Sequence, residues 1–278
     1  MSGAPLRHCV KVEAPSSKLA ELQRMDPIID VQNVSKYFGN ATDGVAALKN
    51  VSLSILPGEF ISLIGPSGCG KSTLLRLVGD LLQPTEGKLL IRGKTPEKAR
   101  TDREYGIVFQ SPVLYDWRTV RKNVELPLEV MRTSKAERAQ RSSEMLELVG
   151  LQEFRNRFPW QLSGGMQQRV AIARALSFSP AILLMDEPFG ALDEMTRDRL
   201  NLELLNIWAR TKTTIIFVTH SIAEAVFLST RVVVMTPRPG KIEKIIPVNL
   251  PRPRGIDTRE MTRFFELVTQ VRECLREA

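Results

Sequence analysis

The chain has 278 residues, a formal net charge of +8, 43% hydrophobic residues and 25% charged residues. No apolar run approaches the roughly 18 residues of a membrane-spanning helix, and residues 1–26 lack the apolar centre of a secretory signal, so we expect a cytoplasmic protein. The cysteines Cys9, Cys69 and Cys274 have no metal-ligand spacing and argue against a disulfide framework. Basic residues are spread along the chain, which favours a solvated surface over a nucleic-acid-binding patch.

The first part of the chain predicts a tail followed by an antiparallel pair of strands. Residues 1–27 show weak periodicity and are interpreted as a flexible tail, with a short helix near residues 18–24. Ile28–Val34 and Val45–Ile55 predict two strands, and Asp43 with Gly44 between them is typical of a hairpin turn.

A glycine-rich run at residues 65–72, Gly-Pro-Ser-Gly-Cys-Gly-Lys-Ser, lies between the predicted strand Phe60–Ile64 and a helical pattern that starts at Thr73. Strand, glycine loop and helix start in this order form a cradle whose backbone N–H groups face phosphate oxygens. Lys71 is expected to reach the terminal phosphates and Ser72 to offer its hydroxyl to Mg²⁺. The alternative is a glycine turn with a surface lysine. The predicted nucleotide-binding residues here are Gly65, Pro66, Ser67, Gly68, Cys69, Gly70, Lys71, Ser72 and Thr73.

Short strands are predicted at Lys88–Arg92 and Gly106–Phe109, and residues 118–178 are predicted to be mainly helical. Ser134 and Glu137 have the spacing of a capping box, and Gly150 is a plausible helix stop. We therefore expect an inserted helical subdomain.

Three apolar runs return after the helical segment: Ile182–Met185, Thr214–Val218 and Arg231–Met235. Helical patterns separate them, and this alternation predicts a mostly parallel sheet covered on both faces, an α/β fold. Prolines between residues 237 and 253 predict irregular turns, and residues 257–277 predict a terminal amphipathic helix.

Two carboxylates, Asp186 and Glu187, end the strand at 182–185. Ligands of open parallel sheets lie beyond the carboxyl ends of the strands, so Asp186 is expected beside Ser72 and the metal. Glu187 could activate a water molecule for attack on a γ-phosphate. The alternative is that both are acidic residues near a helix start.

A second anion-binding helix start is predicted at Leu162-Ser-Gly-Gly-Met-Gln-Gln-Arg169. Ser163 can cap the helix, and Gly164 and Gly165 leave its first N–H groups accessible. A simple capped helix is the alternative.

These motifs, in this order over residues 28–246, resemble the nucleotide-binding subunits of ABC transporters. The family's LSGGQ segment is matched except for Met166 in place of Gln. The resemblance implies a P-loop NTPase (RecA-like) fold, with a mostly parallel sheet, an antiparallel β subdomain and an inserted α-helical subdomain. It also implies ATP and Mg²⁺ as ligands, and an ATP-dependent head-to-tail homodimer in which Ser163, Gly164 and Gly165 serve the partner's ATP.

The same resemblance assigns further roles. Gln110 matches the Q-loop residue that contacts Mg²⁺, and His220 matches the switch histidine that contacts the γ-phosphate and completes a catalytic set with Lys71 and Glu187. Asp193 matches the D-loop at the dimer seam, and it could equally cap the following helix. Phe38 is favoured over Tyr37 for stacking on adenine.

The segment Pro112–Val120 is similar to the corresponding stretch of importers for nitrate, sulfonate, taurine and pyrimidine precursors. The resemblance implies an ATPase domain over residues 28–250, a helical subdomain over about 111–178 and a C-terminal tail helix over 251–278. It implies an importer ATPase on the inner face of the cell membrane, bound to integral membrane permease subunits and served indirectly by a solute-binding protein. An exporter ATPase, or a soluble ABC ATPase acting on nucleic acid or ribosomes, is the alternative, and no nucleic acid is expected.

Overall fold

The computed structural model describes residues 26–39 and 44–278. The predicted tail up to residue 25, its short helix near residues 18–24, Cys9 and the Asp43 turn position lie outside the described residues. The strands are β1 (Ile29–Phe38), β2 (Val45–Ile55), β3 (Phe60–Ile64), β4 (Glu86–Ile91), β5 (Tyr105–Val108), β6 (Ile182–Asp186), β7 (Thr214–Val218), β8 (Arg231–Met235) and β9 (Ile242–Pro247). The α-helices are α1 (Lys71–Val78), α2 (Pro96–Thr101), α3 (Val120–Val130), α4 (Lys135–Leu148), α5 (Gly164–Leu176), α6 (Glu194–Thr211), α7 (Ile222–Leu228) and α8 (Thr262–Glu277).

The antiparallel sheet has the strand order β2-β1-β4. In β2, buried Val51, Leu53 and Ile55 alternate with exposed Ser52 and Ser54. This period of two is the pattern of a strand with one face on the core and the other in water, and it explains why β2 could be predicted from the sequence.

The main sheet has the order β5-β6-β7-β3-β8-β9. Neighbouring strands run parallel from β5 to β8, and β9 pairs antiparallel with β8 at the edge. Every residue of β3 and β7 is buried. Continuous apolar strands of this kind are expected where helices cover both faces of a sheet.

The strand β9 lies in the stretch from which the prolines predicted only irregular turns. It pairs as an edge strand, and its proline, Pro247, is the last residue of the strand, where the missing N–H breaks no interior ladder. Proline content therefore gave a misleading indication of loop over residues 242–247.

The helices α3, α4 and α5 form the inserted helical subdomain and pack on one another through Val120, Val124, Leu146 and Val170. Ser134 caps α4, since its hydroxyl accepts a hydrogen bond from the Glu137 N–H at 3.2 Å. Gly150 follows the helix with φ +64°, which a glycine adopts without strain.

The terminal helix α8 buries Phe264, Leu267, Val268 and Val271 in the core that also contains residues of β3, β6 and β7. Upstream of it, the Arg254 guanidinium donates to the carbonyls of Phe227 and Ser229 at the end of α7. The segment predicted as a tail helix is thus packed against the main sheet. None of the helices in the described part of the chain is long and apolar enough to cross a membrane.

Candidate nucleotide-binding and active site

The loop over residues 65–70 joins the buried strand β3 to α1, at the carboxyl edge of the parallel strands. Gly68 and Gly70 have φ +76° and +102°, a region that side chains rarely adopt. A Cβ on Gly70 would also lie only 2.5 Å from Leu48 Cδ2. The loop therefore requires glycine at Gly70 for two separate reasons.

Lys71 is buried, with 6% of its surface exposed. Its ammonium donates hydrogen bonds to the carbonyls of Gly65 at 2.8 Å and Pro66 at 3.0 Å. The side chain thus lies over the loop itself, where phosphate oxygens would compete for the same donor hydrogens.

Cys69 is fully buried beneath this loop, and its carbonyl faces Gly240. The Gly240 N–H donates to the Ala47 carbonyl at 2.9 Å, and the Gly240 carbonyl accepts from the Lys49 N–H at 3.0 Å. The segment after β8 is therefore hydrogen-bonded to β2 and packs against the backbone of the loop at Cys69. Gly240 could not be predicted from the sequence, because a glycine in a proline-rich stretch gives only a general turn signal.

Ser72 and Asp186 meet as the sequence predicted: the Ser72 hydroxyl donates to Asp186 Oδ1 at 2.6 Å. Gln110 follows β5. A Cβ on Gly190 would lie 3.4 Å from Gln110 Nε2 and 3.6 Å from Glu187 Oε2, so the Gln110 and Glu187 side chains both lie beside Gly190. A hydroxyl, a carboxylate and an amide are the oxygen donors that suit Mg²⁺, which commonly takes only one or two protein ligands besides substrate phosphates. The described residues contain no group of three His, Cys, Asp or Glu side chains suited to a metal ion.

Glu187 and His220 follow neighbouring strands β6 and β7, and Glu187 Oε2 lies 3.4 Å from His220 Nδ1. The Glu187 N–H donates to the Val218 carbonyl at 3.1 Å, which fixes its backbone against β7. Glu187 has φ +46°, an uncommon conformation for a residue with a side chain. Conformations of this kind concentrate at functional sites, where surrounding structure maintains them.

Ser163 caps α5, because its hydroxyl accepts from the Met166 N–H at 3.3 Å. Ser163 and Gly164 are exposed, whereas Gly165 is buried, and a Cβ on Gly165 would lie 2.9 Å from Thr196 Cγ2. The outward face of this helix start is therefore formed by Ser163 and Gly164, while Gly165 allows α5 to approach α6 closely.

Asp193 caps α6 by accepting a hydrogen bond from the Thr196 N–H at 2.9 Å. That bond and a further one to the Thr196 side chain lower the pKa of the Asp193 carboxyl. The carboxylate is exposed, so its role as a cap leaves it accessible to another molecule.

Phe38 ends β1 with 43% of its surface exposed, and the Lys36 ammonium lies 5.3 Å from its ring centroid. Tyr37 is only partly exposed. Phe38 is thus the more accessible aromatic surface of the two.

Comparison with known proteins identifies the family. A family model described as ABC transporter matches residues 48–190, about half of the chain. An uncharacterised ABC transporter ATP-binding protein of Methanocaldococcus jannaschii is 48% identical over 248 residues, which cover 89% of this chain and 92% of that protein. The chain belongs to the ABC transporter ATP-binding family.

Two other relatives bear on the fold and activity of this ABC chain. The aliphatic sulfonates import ATP-binding protein SsuB of Bacillus cereus is 46% identical over 227 residues, covering 82% of this chain and 88% of SsuB. A dimeric post-hydrolysis structure of the cassette MJ0796, bound to ADP and Pi, superposes with a TM-score of 0.68 at 38% identity, covering 82% of this chain and all of that one. The predicted fold class and the predicted ATPase activity are confirmed. Cassettes of this family work as dimers, and importer-type cassettes pair with membrane permeases.

Proposed function

We propose that this chain is the ATP-hydrolysing subunit of an ABC importer for a small solute of the sulfonate, nitrate or taurine class. The observation that carries the proposal is the 46% identity to a sulfonate import ATP-binding protein over 82% of the chain. The geometry of the site is a second support, since the phosphate loop, the Ser72–Asp186 contact and the Glu187–His220 contact are compatible with an ATPase.

Nucleotide binding is assigned to residues 65–73 and Phe38. The backbone N–H groups of the loop and the start of α1 would surround the phosphates, and Lys71 would exchange its two carbonyl partners for phosphate oxygens. The exposed ring of Phe38 would stack on the adenine.

Ser72, Asp186 and Gln110 would hold Mg²⁺, whose contribution is to neutralise the charge that develops on the phosphate oxygens. The contact of 2.6 Å between Ser72 and Asp186 supports this, because it holds the hydroxyl and the carboxylate at a single point on the site.

Hydrolysis is assigned to Glu187 and His220. Glu187 would accept a proton from water as the water oxygen bonds to the γ-phosphorus and the bond to the β-phosphate oxygen breaks, leaving ADP and phosphate. His220, 3.4 Å from Glu187, would orient the γ-phosphate from the neighbouring strand.

Two copies would complete each other's sites in a head-to-tail homodimer. Ser163, Gly164, Gly165 and Asp193 would act on the ATP held by the partner's phosphate loop. The exposure of Ser163, Gly164 and Asp193 supports this role. The Ser163 hydroxyl and carbonyl also accept hydrogen bonds only from the first turn of α5, among the residues that the structure describes.

An apolar groove between β5 and α3 is the proposed contact for the permease. It has a volume of about 460 Å³, and Phe109, Val113 and Tyr115 are among its lining residues. Trp117 packs against Tyr115 beside it, with ring centroids 4.8 Å apart and 76% of Trp117 exposed. Large apolar side chains exposed together mark an interaction surface. The cassette would thus lie on the inner face of the membrane, with any solute-binding protein acting only through the permease.

Uptake by whole cells tests this function. A strain that lacks the gene is complemented with the parent chain or with Glu187→Gln, and uptake of labelled taurine, an alkanesulfonate and nitrate is measured. We expect one solute to enter only with the parent chain. Unchanged uptake of all three solutes in the deletion strain would exclude this substrate class. Outward movement of solute would indicate an exporter. Salt-dependent binding of nucleic acid by the purified protein would support a soluble ABC ATPase.

A further inference from the structure

A buried carboxyl group lies behind the proposed active site and has no role in the chemistry described above. Glu224, in the first turn of α7, is 5% exposed. Its Oε2 accepts a hydrogen bond from the Thr219 hydroxyl, and its Oε1 has no hydrogen-bond partner among the residues that the structure describes. Burial of a carboxyl group with an incomplete set of partners costs stability, so its presence calls for an explanation.

The Thr219 hydroxyl is the centre of the arrangement. It donates to Glu224 and accepts from the Ser221 N–H at 3.0 Å. This bond from a side chain to the N–H two residues later is a local turn that encloses a single residue, His220. The Thr219 N–H in addition donates to the Leu63 carbonyl of β3 at 3.3 Å, just before the phosphate loop.

The arrangement differs from an ordinary helix cap. Ser221 caps α7, and its hydroxyl accepts from the Glu224 N–H at 3.3 Å. In a capping box the carboxylate at this position would accept directly from the Ser221 N–H. Here the Thr219 hydroxyl stands between the two groups, so the cap also includes the residue that precedes His220.

The groups that face Glu224 come from α6 and from the segment between β7 and α7. Burial raises the pKa of the Glu224 carboxyl, while Thr219, Arg197, Asn201 and His220 act to lower it. Arg197 also donates to the carbonyl of Leu192, next to Asp193, at 2.8 Å. The buried group therefore lies between the helix that Asp193 caps and the segment that carries His220.

We propose that Thr219 and Glu224 are positioning residues that hold the backbone of His220, and thereby aim its imidazole at the γ-phosphate. The inference rests on the proposed role of His220 in ATP turnover. Neither residue touches ATP; the Thr219 hydroxyl and the carboxylate behind it act only through the histidine.

The variants Thr219→Val and Thr219→Ser form a matched pair for the test. Valine keeps the shape of the side chain and removes the hydroxyl, whereas serine keeps the hydroxyl. We expect Thr219→Val to lower kcat about tenfold or more with KM for ATP almost unchanged, because misplacement of a catalytic group by about 1 Å can cost up to about 100-fold. Thr219→Ser should retain most of the parent kcat. Equal kcat values for Thr219→Val and the parent would overturn the proposal.

A second pair covers the case in which Thr219→Val fails to fold. Glu224→Gln keeps an acceptor oxygen for the Thr219 hydroxyl, and Glu224→Leu removes it. We expect Glu224→Gln to remain active and Glu224→Leu to lose kcat as Thr219→Val does. Equal activity of the two Glu224 variants would contradict the assigned contact.

Combining Thr219→Val with His220→Ala distinguishes positioning of His220 from a general effect of Thr219 on stability. In a His220→Ala background, Thr219→Val should lower kcat no further, since residues that act as a unit are not additive. The same loss in both backgrounds would show a merely structural role.

A spectroscopic readout is independent of turnover. The chain contains two histidines, so a His8→Gln background leaves the His220 imidazole as the only histidine ring signal in NMR spectra. Thr219→Val should shift or broaden that signal, and Thr219→Ser should leave it unchanged; an unaltered signal in both would refute positioning. If the signal moves but His220→Ala keeps the parent kcat, the proposed catalytic role of His220 fails while the contact itself stands.

Discussion

Gly240→Ala should weaken ATP binding although residue 240 is outside every nucleotide-binding motif. A Cβ at this position would lie 1.9 Å from the Cys69 carbonyl oxygen, whereas ordinary contact begins near 3.4 Å. The difference of these distances, 1.5 Å, is the separation that the backbone must gain. Both the Gly240 peptide and the Cys69 carbonyl belong to the main chain, so rotation of a side chain cannot relieve the collision.

Two consequences of that displacement can be calculated in order of magnitude. Overpacking of this kind costs roughly 1–3 kcal/mol of folding free energy. A shift of about 1 Å in a loop that orients a ligand can cost up to about 100-fold in function, and residues 65–72 are directly coupled to this contact through Cys69. We therefore expect a rise in the dissociation constant for ATP of at least about tenfold.

The assay is titration of the purified variant with ATP by calorimetry, accompanied by thermal unfolding. Gly93→Ala is the matched control, because Gly93 has φ +75° and nothing within 4 Å of its Cβ position. That variant carries backbone strain without a collision and should bind ATP as the parent does. Parent-like affinity in a folded Gly240→Ala protein would show that the contact between residues 240 and 69 does not control ATP binding.

Three further predictions concern single side chains. Glu187→Gln should bind ATP normally but lose about 10²- to 10⁴-fold in kcat, as measured by phosphate release, because the proposed general base is removed; parent-like turnover would exclude that role. Cys69 is fully buried, so iodoacetamide should modify it slowly in the native protein and rapidly after unfolding, which mass spectrometry can follow; rapid native labelling would contradict the packing. The Tyr105 hydroxyl donates to the Gly79 carbonyl at 2.7 Å, and burial raises the pKa of Tyr105 to about 12. Its contribution to stability is therefore present below pH 10 and lost as the pH rises toward 12, and Tyr105→Phe should remove that part of the pH dependence in thermal unfolding; an unchanged slope would contradict it.

The sequence predicted best where one local pattern determines the structure. The strands β2 and β7 appear over Val45–Ile55 and Thr214–Val218, as predicted, because alternation of side chains or a continuous apolar run identifies them. The strand β9 was missed, since an edge strand beside prolines has neither pattern.

The site shows the same division. The contact between Ser72 and Asp186 follows from strand order, because the carboxyl ends of parallel strands meet at one edge of the sheet. The role of Gly240 depends on a contact with Cys69 that exists only after folding. The Thr219–Glu224 pair depends on which oxygen accepts the Ser221 N–H, the Thr219 hydroxyl or the Glu224 carboxylate. No spacing in the sequence distinguishes these arrangements from an ordinary turn and an ordinary helix cap.

The proposed homodimer, in which two copies of this chain complete each other's ATP site, is the basis of the assigned function. It is tested by mixing equal amounts of Ser163→Arg and Lys71→Ala chains and measuring ATP hydrolysis. Each variant alone should be inactive, because every site of its homodimer has one damaged component.

The mixture should recover activity, since a mixed dimer contains one site with an intact phosphate loop and an intact partner segment. With random pairing, half of the dimers are mixed and one of their two sites works, which gives about a quarter of the parent rate for independent sites. Activity equal to the mean of the two separate variants, or a fully active Ser163→Arg chain, would show that each copy hydrolyses ATP without its partner.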